Sequence, residues 1–133
     1  MTTPDVNKII RAYLITCGTL TALVGGATPR IYCPLLPENA TLPAVSFFVR
    51  GGDSDSYVPD VVDPSVQFDC WADNLMDARN IYNKLHDNLE GIQNVTVGTS
   101  KILSAIQEGH GQDLKDEIPG YFRVLTFFRF KIR

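Results

Sequence analysis

The residues from Ser65 to Leu89, SVQFDCWADNLMDARNIYNKLHDNL, change their hydrophobic period in mid-course, and that change constrains the fold more than any other stretch. Val66, Phe68 and Cys70 alternate with Ser65, Gln67 and Asp69, the two-residue repeat of a strand with one buried face. From Asn74, whose side chain suits a helix N-cap, the apolar positions become Ala78, Ile81, Tyr82, Leu85 and Leu89. That is the spacing of one helical stripe, and Gly91 stands where such a helix would stop. A strand leading straight into an amphipathic helix folds so that the stripe covers one face of the sheet.

Upstream, Val6, Ile9, Ile10, Tyr13, Leu14 and Cys17 form a second stripe, with Thr3 as expected N-cap and Pro4 at the first helical position. Gly18 is placed to end or kink this helix, and Thr19 can cap a short turn, TALV. Gly25 and Gly26 are followed by Ala27, Thr28 and Pro29 rather than the Lys and Ser/Thr of a phosphate loop, so a plain turn is expected. Arg30 to Cys33 reads as a short strand, and Pro34 to Pro43 as an irregular connection. Val45, Phe47 and Val49 then alternate with Ala44, Ser46, Phe48 and Arg50 in a strand that Gly51 and Gly52 are expected to end. From Gly51 to Pro64 runs a long acidic loop carrying Asp53, Asp55, Asp60 and Asp63 and no basic residue. Further strands are expected over Asn94 to Val97 and Lys101 to Gln107, the latter with Ile102, Ser104 and Ile106 on one side and Leu103 and Ala105 on the other. A polar loop, GHGQDLKDEIPG, separates them from a long last strand, Tyr121 to Arg133. Its even positions, Phe122, Val124, Thr126, Phe128, Phe130 and Ile132, are nearly all apolar.

The order helix, strands, helix, strands predicts a single α+β domain over residues 1–133, a mostly antiparallel sheet with two α-helices packed on one face. Its other face is then a mixture of Phe48, Arg50, Gln67, Asp69, Tyr121, Arg123, Leu125, Phe127 and Arg129. Such a face is too apolar for comfortable solvent exposure and too charged for a core, which is the composition of a subunit interface.

Chemistry is hard to find. The two histidines, His86 and His110, lack the partners a triad or metal site needs. Asp53, Ser54 and Asp55 have the alternation of a calcium loop, but Tyr57 and Val58 occupy positions where a ligand and a turn glycine are wanted. Cys17, Cys33 and Cys70 are odd in number and unpaired in spacing, so buried free thiols are expected. A net charge of −3 argues against binding nucleic acid by phosphate neutralisation. No apolar run spans a bilayer and no signal peptide opens the chain, so a cytosolic product without metal, cofactor or catalytic role is expected.

An N-terminal helix ending in TALVGG, the segment RIYCPLLPENATLPAVSFFV, the segment VQFDCWADNLMDARNIYNKLHDNL and the terminal strand YFRVLTFFRFKIR together resemble the tail completion or tail terminator proteins of long-tailed bacteriophages. The resemblance rests on order and spacing along nearly the whole chain. It implies a virion protein, assembled in the host cytoplasm, that forms a ring of six copies on the head-proximal end of the tail tube. Such a ring stops tube polymerisation and joins tail to head. Its implied partners are further copies of itself, the tail tube protein and a head completion or connector protein, with DNA passing through the lumen and no membrane involved.

Within that picture Phe48, Arg50, Tyr121, Arg123, Leu125, Phe127 and Arg129 are the expected subunit interface, and Asp53, Asp55, Asp60 and Asp63 an acidic loop facing the lumen or the tube. Three other readings stay open at this point. One is a head completion or neck connector subunit. Another is a small enzyme in which the Asp53, Asp55 and His110 loops converge. The third is a binding module with an apolar concavity between helices and sheet.

Overall fold

The structure, a computed structural model, describes residues 5–37, 40–54, 57, 61–116 and 121–133. Three helices and six strands follow in the order α1 (Val6–Leu14), α2 (Gly18–Thr21), β1 (Ile31–Tyr32), β2 (Ala44–Ser54), β3 (Val62–Ala72), α3 (Leu75–Leu89), β4 (Gln93–Val97), β5 (Ser100–Asp116) and β6 (Tyr121–Ile132). The strands form one sheet in the order β1-β2-β3-β6-β5-β4. Every pairing is antiparallel except β1 with β2, where Ile31 lies beside Val45 and Tyr32 beside Ser46. The sheet is therefore mostly antiparallel, as expected, but mixed, because a two-residue strand too short to show a period pairs in parallel at one edge. Arg30 holds it in place, its Nε donating to the Pro43 carbonyl at 2.8 Å.

The alternation in β3 and β6 delivers its apolar face to the helices as expected. Phe68 stacks on Phe47 of β2 and meets Phe128 of β6 edge-on, both at 5.7 Å between ring centroids. All three rings are fully buried, and each contributes about 1.5–3 kcal/mol by leaving water. α3 lies across β3, β6 and β5, and α1 reaches from β2 to β4. The stripe Ala78, Ile81, Tyr82, Leu85 and Leu89 is buried, with Asn74 capping α3 by accepting from the Asp77 amide at 2.9 Å. Tyr13 ties the helices together, its hydroxyl donating to the Asn88 carbonyl at 2.7 Å. Burial, helped by the neighbouring Cys17 thiol, pushes the Tyr13 phenol up to about 12, so it stays a donor.

Several local expectations fail, mostly at glycines. Asp5, not Thr3, caps α1, its carboxylate accepting from the Lys8 amide at 3.3 Å; Thr3 and Pro4 lie outside the described residues. α1 stops at Leu14, and Gly18 opens α2 behind Cys17, so neither Gly18 as terminator nor Thr19 as cap holds. Gly51 and Gly52 do not end β2. Both take positive φ, 114° and 128°, and form a bulge after which the strand continues to Ser54 opposite Val62. Half of the expected acidic loop is thus hairpin, with Asp53 directly opposite Asp63. Likewise β5 runs on through the expected GHGQDLK loop to Asp116, with irregular register from Gln107 to Gln112. Another irregularity between Ile102 and Ser104 puts Ile102 and Ala105 in the core and leaves Ile106 58% exposed, which undoes the simple alternation expected there.

Gly111 shows why glycine is needed in mid-strand. A Cβ there would stand 2.8 Å from the Tyr82 ring and 2.9 Å from Val124 Cγ1. In the space left, Tyr82 Oη accepts from the Gly111 amide at 3.2 Å and from Gln107 Nε2 at 2.7 Å. Arg79 completes the link between α3 and β5, its guanidinium bonding the Gly111 carbonyl at 3.1 Å and Asp113 at 2.8 Å. Gly111→Ala is expected to lose about 1–3 kcal/mol of stability by overpacking. Gly18→Ala, where an added Cβ meets nothing within 4 Å, should be neutral or slightly stabilising. Urea titration of the two variants checks both.

Candidate functional site

The side chains that point away from the helices line up in cross-strand rows. The register sets Phe48, Gln67 and Phe127 in one row, Ser46, Asp69 and Leu125 in the next, and Ala44, Trp71 and Arg123 in a third. Since side chains alternate along a strand, the polarity of each row follows from the same two-residue repeat that fills the core.

Charge on this face is matched locally. Asp69 is only 4% exposed. It takes an ion pair from Arg123 Nη1 at 3.3 Å and a hydrogen bond from Gln67 Nε2 at 3.3 Å. Trp71 Nε1 donates to Ser46 Oγ at 2.9 Å, and the Arg123 guanidinium lies 5.2 Å from the Trp71 ring. Towards the β2–β3 hairpin a chain of contacts takes over. The Arg50 guanidinium covers the Phe127 ring at 3.8 Å and its Nε donates to Ser65 Oγ at 3.0 Å. Ser65 donates to Glu108 Oε1 at 2.6 Å, and Arg129 bonds Glu108 Oε2 at 3.2 Å and Asp53 Oδ2 at 3.3 Å. Hydrogen bonding from Ser65 is the main force holding the Glu108 carboxyl below its ordinary value, with Arg129 helping and burial opposing.

The seven expected interface residues therefore do share one face, half-buried except for exposed Arg50. The helices and the core lie on the opposite side of the sheet. Of the four expected acidic-loop residues, Asp53 and Asp63 sit in paired strands, while Asp55 and Asp60 lie outside the described residues. Tyr57 between them is 94% exposed. Sequence reasoning missed Trp71, Ile106 and Glu108 on this face. Trp71 follows Asp69 at the strand spacing and was findable, whereas Glu108 lies at a register irregularity that spacing cannot place.

The converging-loop enzyme reading meets a direct obstacle. Asp53 is bound to Arg129 on the mixed face, while the His110 ring stands edge-on to Tyr82 of α3, 6.1 Å away on the helical side. His86 packs near the same Tyr82 and near Phe128. Among the described residues, no group of three His, Cys, Asp or Glu side chains could hold a metal ion, and no helix is long and apolar enough to cross a membrane. The three cysteines are free, and burial pushes each thiol up, away from the reactive thiolate.

No protein-family model matches the chain, and no curated protein sequence does. Its fold is similar to that of a solved chain described as part of the virion of a native gene transfer agent particle, with a TM-score of 0.68 and 18% sequence identity. The match covers 96% of this chain and 93% of that one, so the likeness is one of whole fold rather than of a shared motif.

A carboxyl held below its ordinary value in the folded state stabilises the fold above that value and loses its contribution as pH falls through the lowered one. Glu108 is such a group, starting from an ordinary 4.5. Glu108→Gln should therefore flatten the loss of stability on acidification below that ordinary value. Urea midpoints of wild type and variant across that range test the expectation; parallel acid limbs would contradict it.

Proposed function

We propose that this chain is a structural subunit of a phage-like virion, and that its copies close into a ring of six on the head-proximal end of a tail tube. There the ring would end tube growth and join tail to head. The observation that carries this reading is the likeness of fold, over nearly the full length of both chains, to a component of a gene transfer agent virion. The family resemblance of the sequence supplies the finer placement in the tail.

The mixed face is the proposed subunit interface. Its aromatic and aliphatic groups supply apolar area, and its charges already hold partners within the chain, so covering it strands few ions. The Asp53 to Asp63 hairpin adjoins that face and is proposed to stand at the lumenal or tube end of the ring. With a charge of −3 on every copy, the assembly presents an acidic passage that DNA crosses without adhering. The proposed partners are further copies of the chain, the tail tube protein and a head connector protein. A head completion subunit would share the fold likeness; loss of a terminator leaves overlong tubes, whereas loss of a head completion protein leaves normal tails unjoined to heads.

Native mass spectrometry at high protein concentration, with negative-stain imaging of the same sample, tests the reading. The expected result is a closed species of six 14.8 kDa chains, about 89 kDa, with a central hole. A protein that remains monomeric throughout would overturn it. Reversing the charge of Asp53, Asp55, Asp60 and Asp63 together should impair tail assembly or DNA passage, and normal infectious particles would contradict the role given to the hairpin.

A further inference from the structure

β5 is the strand most open to unwanted pairing. It runs for 17 residues next to the edge of the sheet, yet β4 covers it only from Ser100 to Ser104. From Ala105 onward, the side of β5 that faces away from β6 has no partner strand among the described residues. A bare run of main-chain donors and acceptors of this kind is a template on which a strand of another molecule can form.

In this protein the run is occupied by α3 and the turn that follows it. The Gly91 amide donates to the Ala105 carbonyl at 2.9 Å. Glu90 Oε2 accepts from the Gln107 amide at 2.7 Å, a charged acceptor on a neutral donor. Ala105 and Gln107 are two residues apart, the spacing at which main-chain groups of a strand point to the same side. Further along, Tyr82 Oη accepts from the Gly111 amide at 3.2 Å and Arg79 Nη2 donates to the Gly111 carbonyl at 3.1 Å. These side chains brace one another, since Asp113 holds Arg79 at 2.8 Å and the guanidinium lies 5.3 Å from the Tyr82 ring. The opposite edge is blunted by other means: β1 lies against Val45 and Ser46, and the Gly51–Gly52 bulge bends β2 beyond Arg50.

We propose that Arg79, Tyr82 and Glu90 guard this edge: they take the main-chain positions on β5 that an added strand would need, and so keep molecules from joining sheet to sheet there. An edge stripped of them is solvated rather than unfolded, so the expected loss is of control over association rather than of the fold. The guard stands apart from the ring reading and holds for a monomer as well.

The test is the paired substitution Arg79→Ala with Glu90→Ala, which leaves the net charge unchanged. Hydrogen exchange read by mass spectrometry over peptides spanning Ala105 to Gly111 reports the edge, and analytical ultracentrifugation at matched concentration reports size. Exchange is expected to accelerate about tenfold while thermal unfolding stays cooperative. Open-ended species with added strand content by infrared spectroscopy should appear beyond whatever closed assembly the wild type forms. Glu90→Gln with Arg79→Lys keeps an acceptor and a donor in place and should behave as wild type. If the alanine pair does not fold, Glu90→Ala alone, at an exposed position, is read in the same way. Faster exchange with an unchanged size distribution overturns the guard, and so does unchanged exchange. A wild type that never closes a ring overturns the proposed function and leaves this comparison intact.

Discussion

The register of β3 is the constraint on which the rest of the molecule depends. This strand lies inside the sheet, between β2 and β6, and presents Val66, Phe68 and Cys70 to one side and Ser65, Gln67, Asp69 and Trp71 to the other. A slip of one residue against β6 would carry Asp69 into the phenylalanine core and bring Phe68 out opposite Leu125 or Phe127. Neither face tolerates that exchange, because an ion stranded among buried rings costs several kcal/mol. The single acceptable register fixes the cross-strand rows of the mixed face as firmly as it fixes the core.

The parts of the fold legible in the sequence are those in which one period runs unbroken. α3, its Asn74 cap and its five buried stripe residues follow directly from spacing, as do the core sides of β2, β3 and β6. The illegible parts are those where glycine has two meanings. At Gly91 it ends a helix, as its position suggests. At Gly51 and Gly52 it makes a bulge inside a strand that goes on, and at Gly111 it makes room for a tyrosine from a neighbouring helix. Composition is the same in each case, and only the partner across the gap decides. The parallel pairing of β1 is hidden because it depends on where a proline-rich connection returns, which no local pattern records.

The same division runs through the candidate surface. Its aromatic and arginine members follow strand spacing, so the amino-acid sequence alone suffices to put all seven on one face. The way its charges are joined is not readable there, since Glu108 sits at a register irregularity yet bridges Ser65 on β3 to Arg129 on β6. That bridge changes the character of the face. A set of unmatched arginines would leave positive charge uncompensated, whereas Arg123 and Arg129 are already bound to Asp69, Glu108 and Asp53.

The position of β6 has a consequence for how the protein is made. Residues 121–132 come after every other strand in chain order, yet they stand between β3 and β5. Until they emerge from the ribosome, the earlier strands are separate pieces with open edges, and the pairing that unites them joins residues far apart in the chain. Phe127 and Arg129, which carry the arginine cover and the anchor of the hairpin, arrive on this same strand. A truncated chain would lack the joined sheet and these contacts together. Translation therefore acts as a checkpoint: the mixed face comes into being only on a chain whose fold is already closed.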